Sequence, residues 1–503
     1  MPVGGDRHQT QGGDTMKKRV TSRRPYAALA LGVSLLGASI PLVATGAMAA
    51  SKVTTITVWG SGGDQTTEMA GIKYAVAQYN KMYQGKYHAN LEFVPNITTV
   101  QETASPADEG TVMEGDGPTL SYLAYSGKIA PINGYVSSSN VSQQSKYILG
   151  QDTYKGKLYA MATINGTLTI YGNKALLKEA GITACGNNPT TTSCYPSSWA
   201  KAWTASQFGQ VLKKLAANSS IKMLDNGYVW ASNIAYGGEY GAYGFLPVLN
   251  SAGSPVVSNN SANVLKTPKV YTALQQFASW MPLNDQTAGS ATSGGDGGAF
   301  AAGNEPLLWG GHWQLPSFMS GAVTNNGKNP GNVVGIPLPN FGYGAKDGAG
   351  SNVWEVGANA SSAQKVAAGA FLNLVSSTPF QDLYTYGNGT KANGVPVYGD
   401  GAIPANPAAV AKDPTVAKGG VLYWAAQAEN NACPAGKVLS TCYAVPRPVT
   451  PAYPGIQQAV STMFSSLFTQ GAQGAVSLGT VKSLVATAVD SINSYYQQFN
   501  NFK

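Results

Sequence analysis

"ITVWGSGGDQTTEMAGIKYAVAQYNK", residues 56–81, changes its period halfway along. Residues 54–59 are mostly β-branched and end on Trp59, the composition of a strand. "GSGGDQT" then reads as a turn. From Thr66 to Tyr83 the apolar positions recur at helical spacing. A strand that turns directly into a helix is the repeating unit of an α/β fold, and the pattern continues along the chain. Strand-like "ANLEFVP", "TLTIY" and "VVGIPLP" alternate with helical "NKALLKEAGI", "TASQFGQVLKKLAA", "TPKVYTALQQFASW", "AQKVAAGAFLNLVS" and "TVKSLVATAVDSINSYYQQF". Thr204 is placed to cap one helix, and Thr267 another, before a proline at the first helical position. This alternation predicts an α/β architecture with mostly parallel sheets. Gly-rich stretches at 286–300 and 340–351 read as loops, and no repeat recurs at a fixed period.

The first 49 residues read as a segment outside the fold. Lys17, Lys18, Arg19, Arg23 and Arg24 precede an apolar run from Tyr26 to Val43, broken by Pro41, and then Ala47-Met48-Ala49. That is the order of a secretory signal peptide with its small-residue cleavage site, and Met16 is a candidate true start. The apolar run has about 18 residues, the short end of what spans a bilayer, so an uncleaved anchor is the alternative. No cysteine follows it, so a lipoprotein is not expected. The expected location is extracytoplasmic, either periplasmic or at the cell surface or secreted.

Residues 50–503 are too many for one small domain and suit two lobes. Removing residues 1–49 takes six Lys/Arg and two Asp/Glu, so the formal charge falls from +8 to +4. Charged residues are 11% of the chain, against about a quarter in ordinary domains. A small, scattered positive charge argues against nucleic acid and against an anionic membrane surface as partner. Few carboxylates also means few ion pairs to lose on protonation, so stability is expected to depend weakly on pH, as suits an acidic exterior. A compositional habit without selective meaning is the competing account.

Four cysteines occur, Cys185, Cys194, Cys433 and Cys442, in two pairs of equal spacing. The spacing is wider than the usual zinc patterns. In an exported chain two local disulfides follow, Cys185–Cys194 and Cys433–Cys442.

Catalytic signatures are absent. There is no H-E-x-x-H, C-x-x-C, G-x-S-x-G or phosphate-binding G-x-x-x-x-G-K-[ST]. After residue 49 only His88 and His312 remain, and neither lies in a recognisable triad setting. A glycosidase-like carboxylate pair drawn from Glu114, Asp116, Glu239 and Glu355 stays open, although scattered acids in polar loops are more often solvated. No metal ligands and no cofactor are expected. Aromatic residues carry more information: nine Trp and 27 Tyr cluster beside glycines in "VWGSGG", "YVWASNIAYGGEYGAYGF", "LLWGGHWQLP" and "SNVWEVG". Tyr and Trp offer an apolar face with a polar edge, which suits the C–H face of a sugar, and adjacent glycines let backbone approach a ligand. Taken singly, each Trp is more often a core residue than a cleft residue.

The order of these motifs resembles the extracellular solute-binding proteins of ABC sugar importers, the maltose-binding-protein class. Residues 56–81 look like that family's first strand and helix. "LSYLAYSGKIAPINGYV" is similar to its early helix and the Pro-containing turn, and "YKGKLYAMATINGTLTIYGNKALLKEAGI" to its first crossing between lobes. "AFAAGNEPLLWGGHWQLP" and "AVPRPVTPAYPGI" are similar to its Gly-x-Trp segment and its late Arg-Pro…Thr-Pro…Tyr-Pro element. The five span residues 52–500. Departures are the missing lipid-anchoring cysteine, an extra Gly172 in the crossing, and sparse acidic residues.

The resemblance implies a two-lobe periplasmic-binding-protein-like fold of type II, with mixed sheets flanked by helices and a hinge between the lobes. Lobe one would be 50–162 plus about 340–380, and lobe two about 163–339 plus 381–503. By the same resemblance the ligand site comprises Trp59, Asp116, Asn165, Glu239, Tyr240, Gly311, Trp313, Trp354 and Arg447. Trp313 would stack on the ligand, Asp116 would accept from it, and Gly310 and Gly311 would give backbone access. His312 would be a hydrogen-bonding neighbour. The implied function is reversible binding of a mono- or oligosaccharide and its delivery to the membrane permease subunits of an ABC importer, by a monomer that is not an enzyme. A secreted glycosidase or polysaccharide lyase, a surface adhesin, and a binding protein for a peptide or polyol are the alternatives.

Overall fold

In the computed structural model the residues described are 52–61, 66–232, 238–286, 297–386, 391–392, 395–396, 399 and 401–499. The expected signal peptide, the turn at 62–65 and most of the Gly-rich stretch after 286 lie outside them. Two sheets are formed by β1 (Thr54–Ser61), β2 (Tyr87–Val94), β3 (Val112–Asp116), β4 (Ala160–Gly166), β5 (Leu168–Asn173), β6 (Trp230–Ser232), β7 (Leu307–Gly311), β8 (Val333–Ile336), β9 (Asp347–Val356), β10 (Ile403–Pro404) and β11 (Ala444–Pro446). The first runs β10-β4-β9-β3-β1-β2, with β11 also on β9, and the second β6-β7-β5-β8.

The sheets are mixed, as the resemblance implied and the bare alternation did not. β1 pairs in parallel with β2 and β3, whereas β9 runs antiparallel to β3 and β4. In the second sheet β5 is antiparallel to both β7 and β8. Antiparallel partners arise because the chain passes directly from β4 into β5, from one sheet to the other, with only Thr167 between them. The expected change of lobe at 162/163 therefore falls inside β4. β10 and β11, expected with lobe two, pair into the first sheet.

β4, β5 and β7 are buried along their whole length. Both faces of these strands are covered, which explains why apolar and small residues dominate them and why the polar Asn165 within them is hydrogen-bonded inside the fold. Helices supply the cover: α1 (Thr66–Met82), α2 (Ala205–Ala217), α3 (Gly238–Tyr243), α4 (Pro268–Ala278), α5 (Ser362–Val375), α6 (Tyr453–Gln473) and α7 (Leu478–Gln498). Beside the first sheet, Ile72, Val76 and Tyr79 of α1 pack with Phe371 and Leu372 of α5 around Trp354. Beside the second, Trp203, Trp230, Trp280 and Trp309 join Phe208, Phe277 and Phe464 in one core. Thr204 caps α2 through a reciprocal pair with Gln207, and Thr267 caps α4 through Val270 N–H with Pro268 following, as expected.

The stretch 340–351 is a loop only to Lys346; from Asp347 it is β9, buried at nearly every position. Its Gly and Ser content misled because small residues are what neighbouring side chains require there. Both disulfides form, Cys185–Cys194 and Cys433–Cys442, as their spacing predicted. Among the described residues no helix is long and apolar enough to cross a membrane.

Candidate functional site

Arg447 follows β11, and the candidate residues gather about its guanidinium, whose side chain is only 4% exposed. Nη1 and Nη2 each donate to the Asp116 carboxylate at 2.7 Å, the paired geometry that arginine alone provides. Nη1 also donates to Glu239. The Tyr243 ring lies 4.4 Å from the guanidinium carbon. Gly350 occupies the remaining side, where a Cβ would collide with the guanidinium. Tyr453 donates its hydroxyl to both Glu239 oxygens, at 2.6 and 2.9 Å.

These groups come from separate elements. Asp116 ends β3, opposite Asn352 of β9. Glu239 and Tyr243 stand one turn apart on α3 and so share a face. Tyr453 begins α6, which packs against α3. The first sheet, a helix beside the second, and the late segment thus meet at one guanidinium. One cation between two carboxylates leaves a single negative charge in excess, and Glu239 takes up the difference. Burial pushes its carboxyl up to about 7, against the pull of Arg447 and with Asp116 adding to the rise. Asp116 and Glu239 keep 17% and 23% of their side chains exposed, so neither carboxylate is fully enclosed by the junction.

Beside this junction stands an aromatic wall. Trp313, half-buried, meets the exposed Tyr240 edge-on at 5.6 Å and His312 edge-on at 5.2 Å. The hollow between Trp313, Tyr240, Phe245, Trp309 and Leu168 measures about 10 Å³, room for one water. A larger hollow of about 350 Å³ lies at Pro131, Asn133, Tyr135, Gly156, Lys157 and Lys365; it contains no carboxylate and none of the candidate residues.

Gly310 and Gly311 serve a different purpose from the one expected. A Cβ on Gly311 would strike the Trp313 ring, and one on Gly310 would strike the Gln314 amide. Their bareness makes room for the protein's own side chains, and the Trp313 ring lies over Gly311. His312 is buried, and that burial pulls its imidazole down to about 3, so it is neutral at any ordinary pH.

Three expected residues stand apart from the junction. Trp59 is 7% exposed, and its indole N–H donates to Glu92 at 3.1 Å. Trp354 is 2% exposed and packs edge-on against Phe371. Neither turns a ring face to solvent, because each ring is packed into an apolar core on the first sheet. Asn165 is buried, and its amide donates to Glu429 at 2.7 Å. Conversely, Tyr243, Tyr453 and Gly350 were not expected. Tyr243 is four residues beyond Glu239, and Tyr453 lies within "AVPRPVTPAYPGI", so both carried a signal. Gly350 carried none.

The chain matches the family described as bacterial extracellular solute-binding protein over residues 63–382, more than half its length. Among solved structures it is similar to the GacH receptor of Streptomyces glaucescens, determined unliganded and with acarbose (17% identity over 88% of this chain and 99% of that one, TM-score 0.67). A maltose-bound T. maritima protein shares 16% identity over 88% and 99%, with TM-score 0.64. An ABC substrate-binding protein of Listeria monocytogenes, in complex with cycloalternan, shares 16% over 90% and 100%, with TM-score 0.63. At such identities the likeness is one of fold.

Proposed function

The chain belongs to the bacterial extracellular solute-binding proteins, and from that membership we propose that it binds a mono- or oligosaccharide reversibly in a cleft between two lobes and delivers it to an ABC import permease. Family and fold are those of binding proteins, and the reading here is binding without turnover. The observation that carries it is the meeting of Asp116 and Glu239 on Arg447, both carboxylates partly exposed, with Glu239 next in the chain to Tyr240, whose ring meets Trp313. Fixed acceptors next to half-buried rings match hydroxyls and a C–H face on one ligand. The named ligands of the similar structures, acarbose, maltose and cycloalternan, are of this chemistry.

The lobes we assign are organised on the two sheets, with passages at Thr167 and at residues 337–346 as hinges. The hollow of about 10 Å³ beside Trp313 admits no sugar, so the ligand would lie against Trp313 and Tyr240 rather than behind them, with the hinge motion usual in such folds closing over it. Cleavage of residues 1–49 and a monomeric, extracytoplasmic state without lipid complete the proposal. Calorimetric titration with a panel of mono- and oligosaccharides, and a product assay on whichever binds, test it. Saturable heat with no product is expected. Release of product would replace the reading with a glycosidase, and the absence of heat from every sugar would remove the carbohydrate.

A further inference from the structure

Away from this junction, Asp225, Asp285 and Glu305 bring one carboxylate oxygen each to within 4.8 Å of one another. The three are far apart in sequence, and each is set by backbone. Asp225 lies in the turn before β6, its carbonyl accepting from Tyr228 N–H at 2.8 Å. Asp285 N–H donates to the Trp230 carbonyl at 2.8 Å, and the preceding Asn284 donates to Ser232 Oγ at 3.1 Å. Glu305 precedes β7, next to Pro306, whose carbonyl accepts from Asn173 N–H at 2.8 Å. The convergence is therefore built into the edge of the second sheet.

Glu305 is wholly buried, and neither of its carboxylate oxygens meets a hydrogen-bond donor. Asp225 Oδ2 is likewise buried without a donor. Asp285 is 1% exposed. Burial raises the Glu305 carboxyl well above its ordinary range, the carboxylates of Asp285 and Asp225 add to the rise, and Asp225 lies within hydrogen-bonding reach of it. Acids are almost never fully buried unless paired or bound to metal, so the facing carboxylates of Asp225 and Glu305 require a neutraliser. A proton shared between Asp225 and Glu305 is one candidate; a cation is the other.

We propose that Asp225, Asp285 and Glu305 form a site for a divalent cation held by oxygen ligands, with Ca²⁺ as the fitting ion. The ligand set is all carboxylate, with no imidazole or thiolate, which selects hard cations over zinc or copper. Ca²⁺–oxygen bonds of about 2.3–2.6 Å let oxygens up to about 5 Å apart share one ion, a span that covers the three found here. Asp225 is half-buried, which leaves a side for water to complete the coordination. The site would pin three loops at the start of β6 and β7. Glu305 and Trp313 flank opposite ends of the five-residue β7, about 17 Å of strand, so the ion stabilises the lobe without touching the ligand.

The test is titration of CaCl₂ into chelator-stripped protein at pH 7, read by calorimetry and by thermal unfolding. One Ca²⁺ per chain is expected, with a melting temperature that climbs with its concentration. Glu305→Gln should weaken Ca²⁺ at least 10-fold. Asp225→Asn, at the rim, should weaken it several-fold and serves if the first variant fails to fold. Absence of both heat and thermal shift in the wild type with Ca²⁺, Mg²⁺ and Mn²⁺ overturns the proposal in favour of the shared proton. So does Ca²⁺ affinity unchanged in the variants, which would place the ion elsewhere.

Discussion

Asp116 and Glu239 meet on Arg447, whereas Asp225, Asp285 and Glu305 meet on one another. In the first group the chain itself supplies the cation, from a segment far along the sequence, and a tyrosine ring and a bare glycine shape its seat. In the second, the charges acting on the central acid are of its own sign. Buried acids therefore do not by themselves mark a ligand site. A group neutralised from within can hold two walls together and offer its outer edge to a ligand. Where two buried carboxylate oxygens face each other, as those of Asp225 and Glu305 do, a proton or an ion from solution must cancel the charge.

Four measurements press on this contrast. The largest effect is expected from Arg447→Met, which turns the first group into the second by leaving Asp116 and Glu239 without a cation. Removing one partner of a buried charge cluster costs about 3–5 kcal/mol, read as a lower urea midpoint. A loss below about 1 kcal/mol would mean that water, rather than Arg447, neutralises the junction.

The pH response comes next, and the structure sharpens the weak dependence expected from charge scarcity. Asp152, Asp347, Glu355 and Glu429 are buried, and that burial, the largest cause in each case, raises their carboxyls well above the ordinary range. Each holds its proton in the folded chain at pH values where the unfolded chain, with carboxyls near about 4, has released it. Their contribution is full below that unfolded value and is lost as pH rises through the folded one. Glu239, at about 7, acts in the same direction, since its protonation leaves a neutral Asp116–Arg447 pair. The melting temperature should therefore rise by several degrees as pH is lowered from 7 to 4.5. A steady fall over that window would show these acids ionised and paired.

Third, Trp313→Ala should weaken sugar binding about 5- to 150-fold, the equivalent of roughly 1–3 kcal/mol, with circular dichroism unchanged. Undiminished affinity would move the ligand off the aromatic wall. The smallest effect is expected for His312→Ala, because a buried, neutral imidazole behind Trp313 offers the ligand no charge. A loss of affinity as large as that for Trp313→Ala would bring His312 into direct contact with the sugar.

The helices, the capping threonines, the strand at Trp59 and both disulfides were legible in the sequence because each is a local matter. Apolar period, a cap three residues before its partner, and two cysteines in one loop need no knowledge of the rest of the chain. The sheet that β10 and β11 join was not legible, nor was β9 beneath its glycines, nor which tryptophans stay partly exposed. Trp59, Trp313 and Trp354 all sit beside glycine-rich sequence, yet only Trp313 lies on a wall with solvent on one side. That is settled by which strands become interior, a property of sheet order. Asp116, Glu239 and Arg447 could be nominated one at a time. Their joining across 331 and 208 residues depends on β3, α3 and β11 arriving at one place, with Gly350 leaving the guanidinium its space. The Asp225–Asp285–Glu305 group left no trace in spacing at all, because ligands drawn from three loops have no fixed interval. Local spacing set the helices and most of the strands, and motif order set the family resemblance; packing decided which charges met, since a buried charge is defined by neighbours that the chain brings from afar.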